Sequence, residues 1–278
     1  RELAEKRSTA STNPCPVSST PRAASEDLRA AERARALVQV LDRAEVLPAS
    51  IALRERSYEL LRLPAAARVL DVGCGTGRAV EELRQRGMTA EGLDLSEVML
   101  QMARQRYAEC SFVQGSAEAL PVEDASVEGY RADRVYHDLA DPKRAVTEAK
   151  RVLVRGGRIV LVGHDWSFCA LDSNDDGLTQ RILDGRARTI PKPRIARGYR
   201  NLLLDAGFVD VVAEVQTVVI VESAQGMLFL ASAATATVTS GAVSDAEANA
   251  WMEEQGQRGA SNRFLLALPV FLAAGTRE

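Results

Sequence analysis

The residues with the clearest chemical potential stand close together. The run Asp71-Val72-Gly73-Cys74-Gly75-Thr76-Gly77-Arg78 is followed, seventeen residues beyond Gly77, by Asp94. Glycine in such a turn lets the backbone approach a ligand without a clashing Cβ. A helix starting directly after it offers N–H groups with no intrahelical partner. An acid at the end of the next strand can accept two hydrogen bonds from the hydroxyls of a ribose. The chemistry implied is binding of a nucleoside. A second set is His137 and His164, the two histidines of the chain. A neutral imidazole can take a proton from a reacting group near neutral pH. The plainer reading of each is a surface or helix-capping histidine. Trp166 reads either as an aromatic wall beside a small substrate or as a core aromatic, and Cys74 as a small residue that fits the turn.

These residues need a scaffold, and the hydrophobic pattern supplies one. Arg68–Val72, Thr89–Leu95, Ser111–Gln114, Val127–Asp133 and Arg158–Val162 read as strands. Between them Gly77–Arg86, Glu97–Tyr107 and Asp141–Leu153 read as helices, the last with Asp141 as N-cap and Pro142 at its first position. Strands alternating with helices predict a doubly wound, mostly parallel α/β sheet. In such sheets ligands bind outside the carboxyl ends of the strands, which is where the glycine turn, Asp94, His137 and His164 all fall. Upstream, Arg1 to about Ser25 is rich in Ser, Thr, Ala and Pro and reads as a disordered tail. A helix with Leu28, Ala31, Ala34, Val38 and Leu41 follows, then a second with Ser50 as N-cap that Pro64 stops. Downstream, helices are expected near Ala196–Ala206, Ala224–Ala236 and Ser244–Gln255, and β-structure over Phe208–Val221 and Arg263–Ala273.

Composition narrows the partners. The 278 residues are 46% hydrophobic and 26% charged, which excludes a collagen-like, wholly disordered or disulfide-scaffold chain. A formal net charge of −3 argues against duplex nucleic acid, which demands a basic excess. The longest apolar runs, such as Val218–Val221, are too short to span a bilayer. Cys15, Cys74, Cys110 and Cys169 form no C-x-x-C pair and no zinc spacing, so no metal is expected. Scattered single cysteines and no stretch that reads as a secretory signal suggest the cytoplasm.

Two nucleotide readings of the glycine turn compete. A dinucleotide fingerprint G-x-G-x-x-G counted from Gly73 requires Gly at position 78, where Arg78 stands. The spacing is D-x-G-x-G-x-G, which resembles motif I of the class I S-adenosylmethionine-dependent methyltransferases. The resemblance extends over about residues 65 to 163. Glu91-Gly92-Leu93-Asp94-Leu95-Ser96 resembles the family's ribose-binding strand end, and Gln114-Gly115-Ser116-Ala117-Glu118-Ala119-Leu120-Pro121 its G-D-A-x-x-L-P adenine segment, with Ser116 where Asp is usual. Arg134-Val135-Tyr136-His137-Asp138-Leu139 is similar to the stretch that often reads L-H-H-L after strand four. Arg151-Val152-Leu153-Val154-Arg155-Gly156-Gly157 is similar to R-V-L-K-P-G-G. The likeness is closest to the small-molecule branch, which includes quinone-biosynthesis and secondary-metabolite enzymes. Ala132-Asp133-Arg134-Val135 stands where enzymes acting on nucleobase amines carry N-P-P-[YFW], a second argument against nucleic acid.

The resemblance implies a Rossmann-like seven-stranded sheet in the order 3-2-1-4-5-7-6, the last strand antiparallel. It implies S-adenosyl-L-methionine as cofactor, bound by Asp71, Gly73, Gly75, Gly77, Asp94, Leu95, Ser116, Ala117 and Ala132. It makes His137 and His164 candidate catalytic bases toward an O, N or C atom of a small methyl acceptor. A repurposed scaffold catalysing a step such as cyclisation, and a nicotinamide oxidoreductase, are the alternatives. The organisation expected is a tail (1–25) and a single domain (26–278). Within it lie an N-terminal helical lid (26–63), a cofactor-binding core (65–163), a substrate-recognition insert (164–200) and the C-terminal part of the sheet (201–278). The insert carries seven basic residues, Arg181, Arg186, Arg188, Lys192, Arg194, Arg197 and Arg200, against Asp184. They read either as a solvated helix face or as a patch for a substrate carboxylate or phosphate. No membrane or nucleic-acid partner is expected, and a second copy of the chain is a candidate partner.

Overall fold

Short β-branched runs separated by amphipathic helices demand a sheet covered on both faces. The structure is a computed structural model that describes residues 38, 42, 43 and 45–278. The tail to Ser25 and the helix expected around Leu28–Leu41 lie outside the described residues, apart from Val38, which is helical and buried.

The strands are β1 (Arg68–Val72), β2 (Thr89–Asp94), β3 (Ser111–Gln114), β4 (Val127–Asp133), β5 (Leu153–His164), β6 (Ala170–Leu171), β7 (Phe208–Ile220) and β8 (Leu266–Arg277). The first five pair in parallel in the order β3-β2-β1-β4-β5. β8 lies antiparallel between β5 and β7. The long strands therefore follow the expected order. The difference is an eighth strand, β6, two residues that pair with Leu266 and Ala267 of β8. Two residues carry no periodicity, so nothing in the local pattern announces it.

Helix α1 (Pro48–Leu61) starts one turn earlier than its expected Ser50 cap. Leu47 is the N-cap and Pro48 occupies the first turn, where a missing N–H costs nothing and the fixed φ suits the helix. Helices α2 (Arg78–Gln85), α3 (Glu97–Arg106) and α4 (Pro142–Val152) connect the parallel strands. Asp141 caps α4, accepting from the N–H groups of Lys143 and Arg144, both at 3.1 Å. Beyond the sheet core come α5 (Asp176–Arg188), α6 (Tyr199–Asp205), α7 (Ser223–Thr239) and α8 (Asp245–Ala260). Ser244 and Glu247 form a reciprocal cap at the start of α8.

Helix α5, in the middle of the 164–200 insert, packs with α7 and α8. Gly185 lies against Thr237, whose Oγ1 donates to the Ile182 carbonyl at 3.0 Å. Trp251 Nε1 donates to Thr179 Oγ1 at 2.8 Å inside the same layer. One backbone bond ties the end of the insert to the segment after β4, Lys192 N to the His137 carbonyl, and another closes the insert on itself, Trp166 N to the Pro193 carbonyl, both at 2.9 Å. Among the described residues no helix is long and apolar enough to cross a membrane.

Candidate active site

β1 ends in the glycine turn, and Gly73, Gly75 and Gly77 all have positive φ (+68°, +54° and +86°). They serve different ends. A Cβ on Gly73 would run into Val135 Cγ2, so this glycine lets the turn pack beneath the segment that follows β4. A Cβ on Gly75 would meet nothing within 4 Å, so its face is open to a ligand. Gly77 is the N-cap of α2. The turn is held by bonds from Gly73 N and Cys74 N to the Leu93 carbonyl at 2.6 and 3.0 Å.

Asp94 closes β2 and is held by backbone alone: its Oδ2 accepts from Gly75 N at 2.9 Å and its Oδ1 from Ser96 N at 2.8 Å. A carboxylate has about four acceptor sites, so capacity for two ribose hydroxyls remains. Asp94 lines a cleft of about 310 Å³ together with Gly73, Leu95, Ser116, Ala117 and Arg134. Leu95 stands 73% exposed at its rim, where a bound ring could lie against it. Ser116 Oγ accepts from Glu118 N at 3.2 Å and keeps its own proton to donate.

Not every residue expected to bind cofactor faces this cleft. Ala132 is 1% exposed inside β4, between Val72 and Leu161. Asp71 is buried and its Oδ1 accepts from Arg131 Nη1 at 2.7 Å. Burial pushes its carboxyl up from the ordinary range, and the guanidinium opposes that shift. Arg131 also donates to Ser57 Oγ at 2.8 Å and Asp133 Oδ2 at 2.9 Å. Asp71 thus acts from beneath the turn, tying β1 to β4 and α1. Arg131 was missed in the sequence reading, although a signal existed: an acid and a base at the centres of two buried parallel strands require each other.

After β4 the chain turns sharply at Arg134, a non-glycine residue at φ +59°. Arg134 Nε donates to Asp133 Oδ1 at 3.0 Å. Arg134 lines the cleft and also a second cavity of about 110 Å³, whose walls include Leu47, Leu53, His164, Val218 and Ile220. The two histidines both adjoin Trp166, with ring centres 5.4 Å (His137) and 5.1 Å (His164) away. His164 is desolvated and faces Arg134, Asp133 and His137; burial brings its pKa down to about 4. His137 is lowered mainly by burial, against the pull of Asp138, whose Oδ2 lies 3.3 Å from its Nε2. Both rings are therefore neutral at pH 7.

Comparison with known proteins agrees with this geometry. Residues 70–161 match the family model described as a methyltransferase domain. The chain is 34% identical over 168 residues to an uncharacterized protein of a Streptomyces fradiae transposon, covering 55% of this chain and 48% of that one. It is 33% identical over 111 residues to a demethylmenaquinone methyltransferase of Thermotoga maritima, covering 39% of this chain and 48% of that enzyme. The chain thus spans about half the length of these relatives. The YcgJ protein of Bacillus subtilis superposes with a TM-score of 0.57 at 18% identity, over 81% of this chain and 97% of that one, a likeness of fold. The family's cofactor is S-adenosylmethionine, and the open face of Gly75 with the spare acceptors of Asp94 fits it. Over residues 70–161 the chain is thus similar to methyltransferase domains, and its fold agrees with that likeness.

Proposed function

We propose that this chain transfers a methyl group from S-adenosylmethionine to an O, N or C atom of a small organic molecule. The observation that carries the reading is the position of Arg134, one residue that walls both the cleft beside Asp94 and the cavity beside His164. Cofactor and acceptor would meet across it. The sulfonium supplies an electrophilic methyl group. What the chain contributes is alignment, exclusion of water and management of the acceptor's proton. Asp94 and the Gly73–Gly77 turn hold the nucleoside end, and Ser116 and Leu95 border its base. Leu47 and Leu53 of the α1 region close the second cavity against water.

His137 is the better candidate base. Its carbonyl is bonded to Lys192 of the insert, so its backbone is fixed, and its ring adjoins Asp138 at the cleft. His164, at about 4, is a poor proton acceptor at neutral pH. Demethylmenaquinone methylation by a relative supports a small acceptor of the quinone or secondary-metabolite kind. The test is incubation with S-adenosylmethionine and a panel of phenols, amines and carboxylic acids. Methylated product and S-adenosylhomocysteine in equal amounts are expected. Tight cofactor binding with no turnover across the panel, and cyclised or otherwise rearranged product, would replace methyl transfer with a repurposed scaffold.

A further inference from the structure

Among the described residues four buried side-chain polar atoms have no hydrogen-bond partner: His137 Nδ1, Trp166 Nε1, Arg186 Nε and Gln255 Oε1. Three of the four surround one ring. His137 lies 5.4 Å from Trp166 between ring centres, and the guanidinium carbon of Arg186 lies 5.4 Å over the Trp166 ring. Leaving one buried donor unsatisfied costs about 1–3 kcal/mol, so two such donors side by side, Trp166 Nε1 and Arg186 Nε, point to a partner that the protein itself does not supply. Trp166 Nε1 and Arg186 Nε can only donate. Whatever satisfies them accepts.

Charge points the same way. Arg186 and Arg134 both act on His137, and the opposite charge felt by Arg186 is Asp138, 68% exposed and not ion-paired with it. Two other arginines show what the free edge is shaped for. Arg54 grips Glu82 through Nε and Nη2 at 3.0 and 3.1 Å, and Arg56 grips Glu214 through the same two atoms at 2.8 and 2.6 Å. Arg186 spends Nη1 on Thr189 Oγ1 at 2.8 Å, and its Nε side meets no protein carboxylate among the described residues.

We propose that the Nε/Nη2 edge of Arg186, with Trp166 Nε1, binds the carboxylate of the methyl acceptor, which is therefore a carboxylic acid held by its anionic end. The proposal rests on the methyl-transfer reading only for the role of the bound acid as acceptor. A planar two-oxygen anion matches the guanidinium fork. A dianion such as phosphate would be opposed by Asp138 with one cation in direct reach. The site adjoins the cofactor cleft through the segment 135–139, which carries His137 and places Val135, Asp138 and Leu139 on the cleft wall.

The test uses the whole chain and calorimetry. Protein with S-adenosylhomocysteine is titrated with benzoate and, separately, with benzamide, the neutral isostere. Benzoate is expected to bind at least tenfold more tightly. Arg186→Gln should bring the two within twofold, while Arg186→Lys should keep part of the preference. Equal affinities in the parent, or a preference that survives Arg186→Gln, would overturn the proposal. Should Arg186→Gln not fold, the parent comparison together with Trp166→Phe decides it, since loss of the Nε1 donor should weaken benzoate alone. Failure of S-adenosylhomocysteine to bind counts against methyl transfer, and the benzoate preference then still decides the anion site on its own.

Discussion

The cleft beside Asp94 and the surroundings of Trp166 lie side by side but are built on different principles. Around Asp94 the polar atoms are satisfied by backbone: Gly75, Ser96 and Gly115 bond to Asp94 or its carbonyl at 2.8–3.0 Å. Around Trp166 three polar atoms of side chains have no partner. A site satisfied by main chain is rigid before its ligand arrives and suits a ligand common to a large family. A site of side-chain donors left to be satisfied takes its definition from the ligand, and suits the part of a reaction that varies between relatives.

The largest expected effect probes the foundation of the first region. Arg131→Met would leave Asp71 buried without its cation, at a cost of about 3–5 kcal/mol in urea denaturation. Asp71→Asn combined with Arg131→Met should recover much of the loss. If the single variant is as stable as the parent, the rigidity of the turn comes from elsewhere. The second effect concerns pH. The folded-state pKa of His164, about 4, lies below the ordinary value of 6.5. The unfolded chain therefore binds a proton between these values while the folded chain does not. Stability contributed by this histidine is fully present above about pH 6.5 and falls as pH drops toward 4, by at most about 3 kcal/mol. His164→Gln should flatten that part of a stability-against-pH curve. An unchanged slope would mean that the side of Trp166 facing β5 is wetter than it looks.

Asp94→Ala should weaken S-adenosylhomocysteine by about 2–3 kcal/mol, since it removes a charged acceptor of two hydroxyls. Calorimetry giving an affinity within twofold of the parent would remove Asp94 from the cofactor site and blur the contrast between the two regions. Gly75→Ala should cost about 1 kcal/mol of stability for its positive φ, with no internal clash. Its larger effect should be on cofactor affinity. Melting temperature and calorimetry on the same sample separate the two.

The first region was legible in the sequence because its demands are local. Positive φ at a strand-to-helix turn selects glycine within a few residues, and the acid sits at the end of the next strand. The parallel, doubly wound sheet followed from the alternation of strands and helices, and the order of the long strands from the resemblance. Asp71 and Ala132 show the limit: the motif locates them near the ends of β1 and β4, but which way a strand residue faces depends on the strand beside it. Asp71 is opposite Arg131 in register, a fact of pairing between β1 and β4. The second region was not legible because Arg186 reaches His137 across 49 positions of chain. Its neighbours in the basic run do other things. Arg181 pairs with Glu247 at 2.9 Å, and Arg197 pairs with the buried Asp165. A count of positive charges gave one description to residues with three different surroundings.

The way the insert is fastened bears on how specificity can change over generations. Its attachment at Lys192 is made by a backbone N–H to the carbonyl of His137, and a second backbone bond, Trp166 N to the Pro193 carbonyl, holds its two ends together. A backbone bond survives almost any exchange of side chain except to proline. The exposed side chains of Pro191, Lys192 and Arg194 can therefore be exchanged with little danger of letting the segment drift from the end of β4. Descendants of this chain are free to vary the side chains there while inheriting where the segment lies. For a designer, the same stretch is the sensible region in which to randomise sequence when seeking a new acceptor.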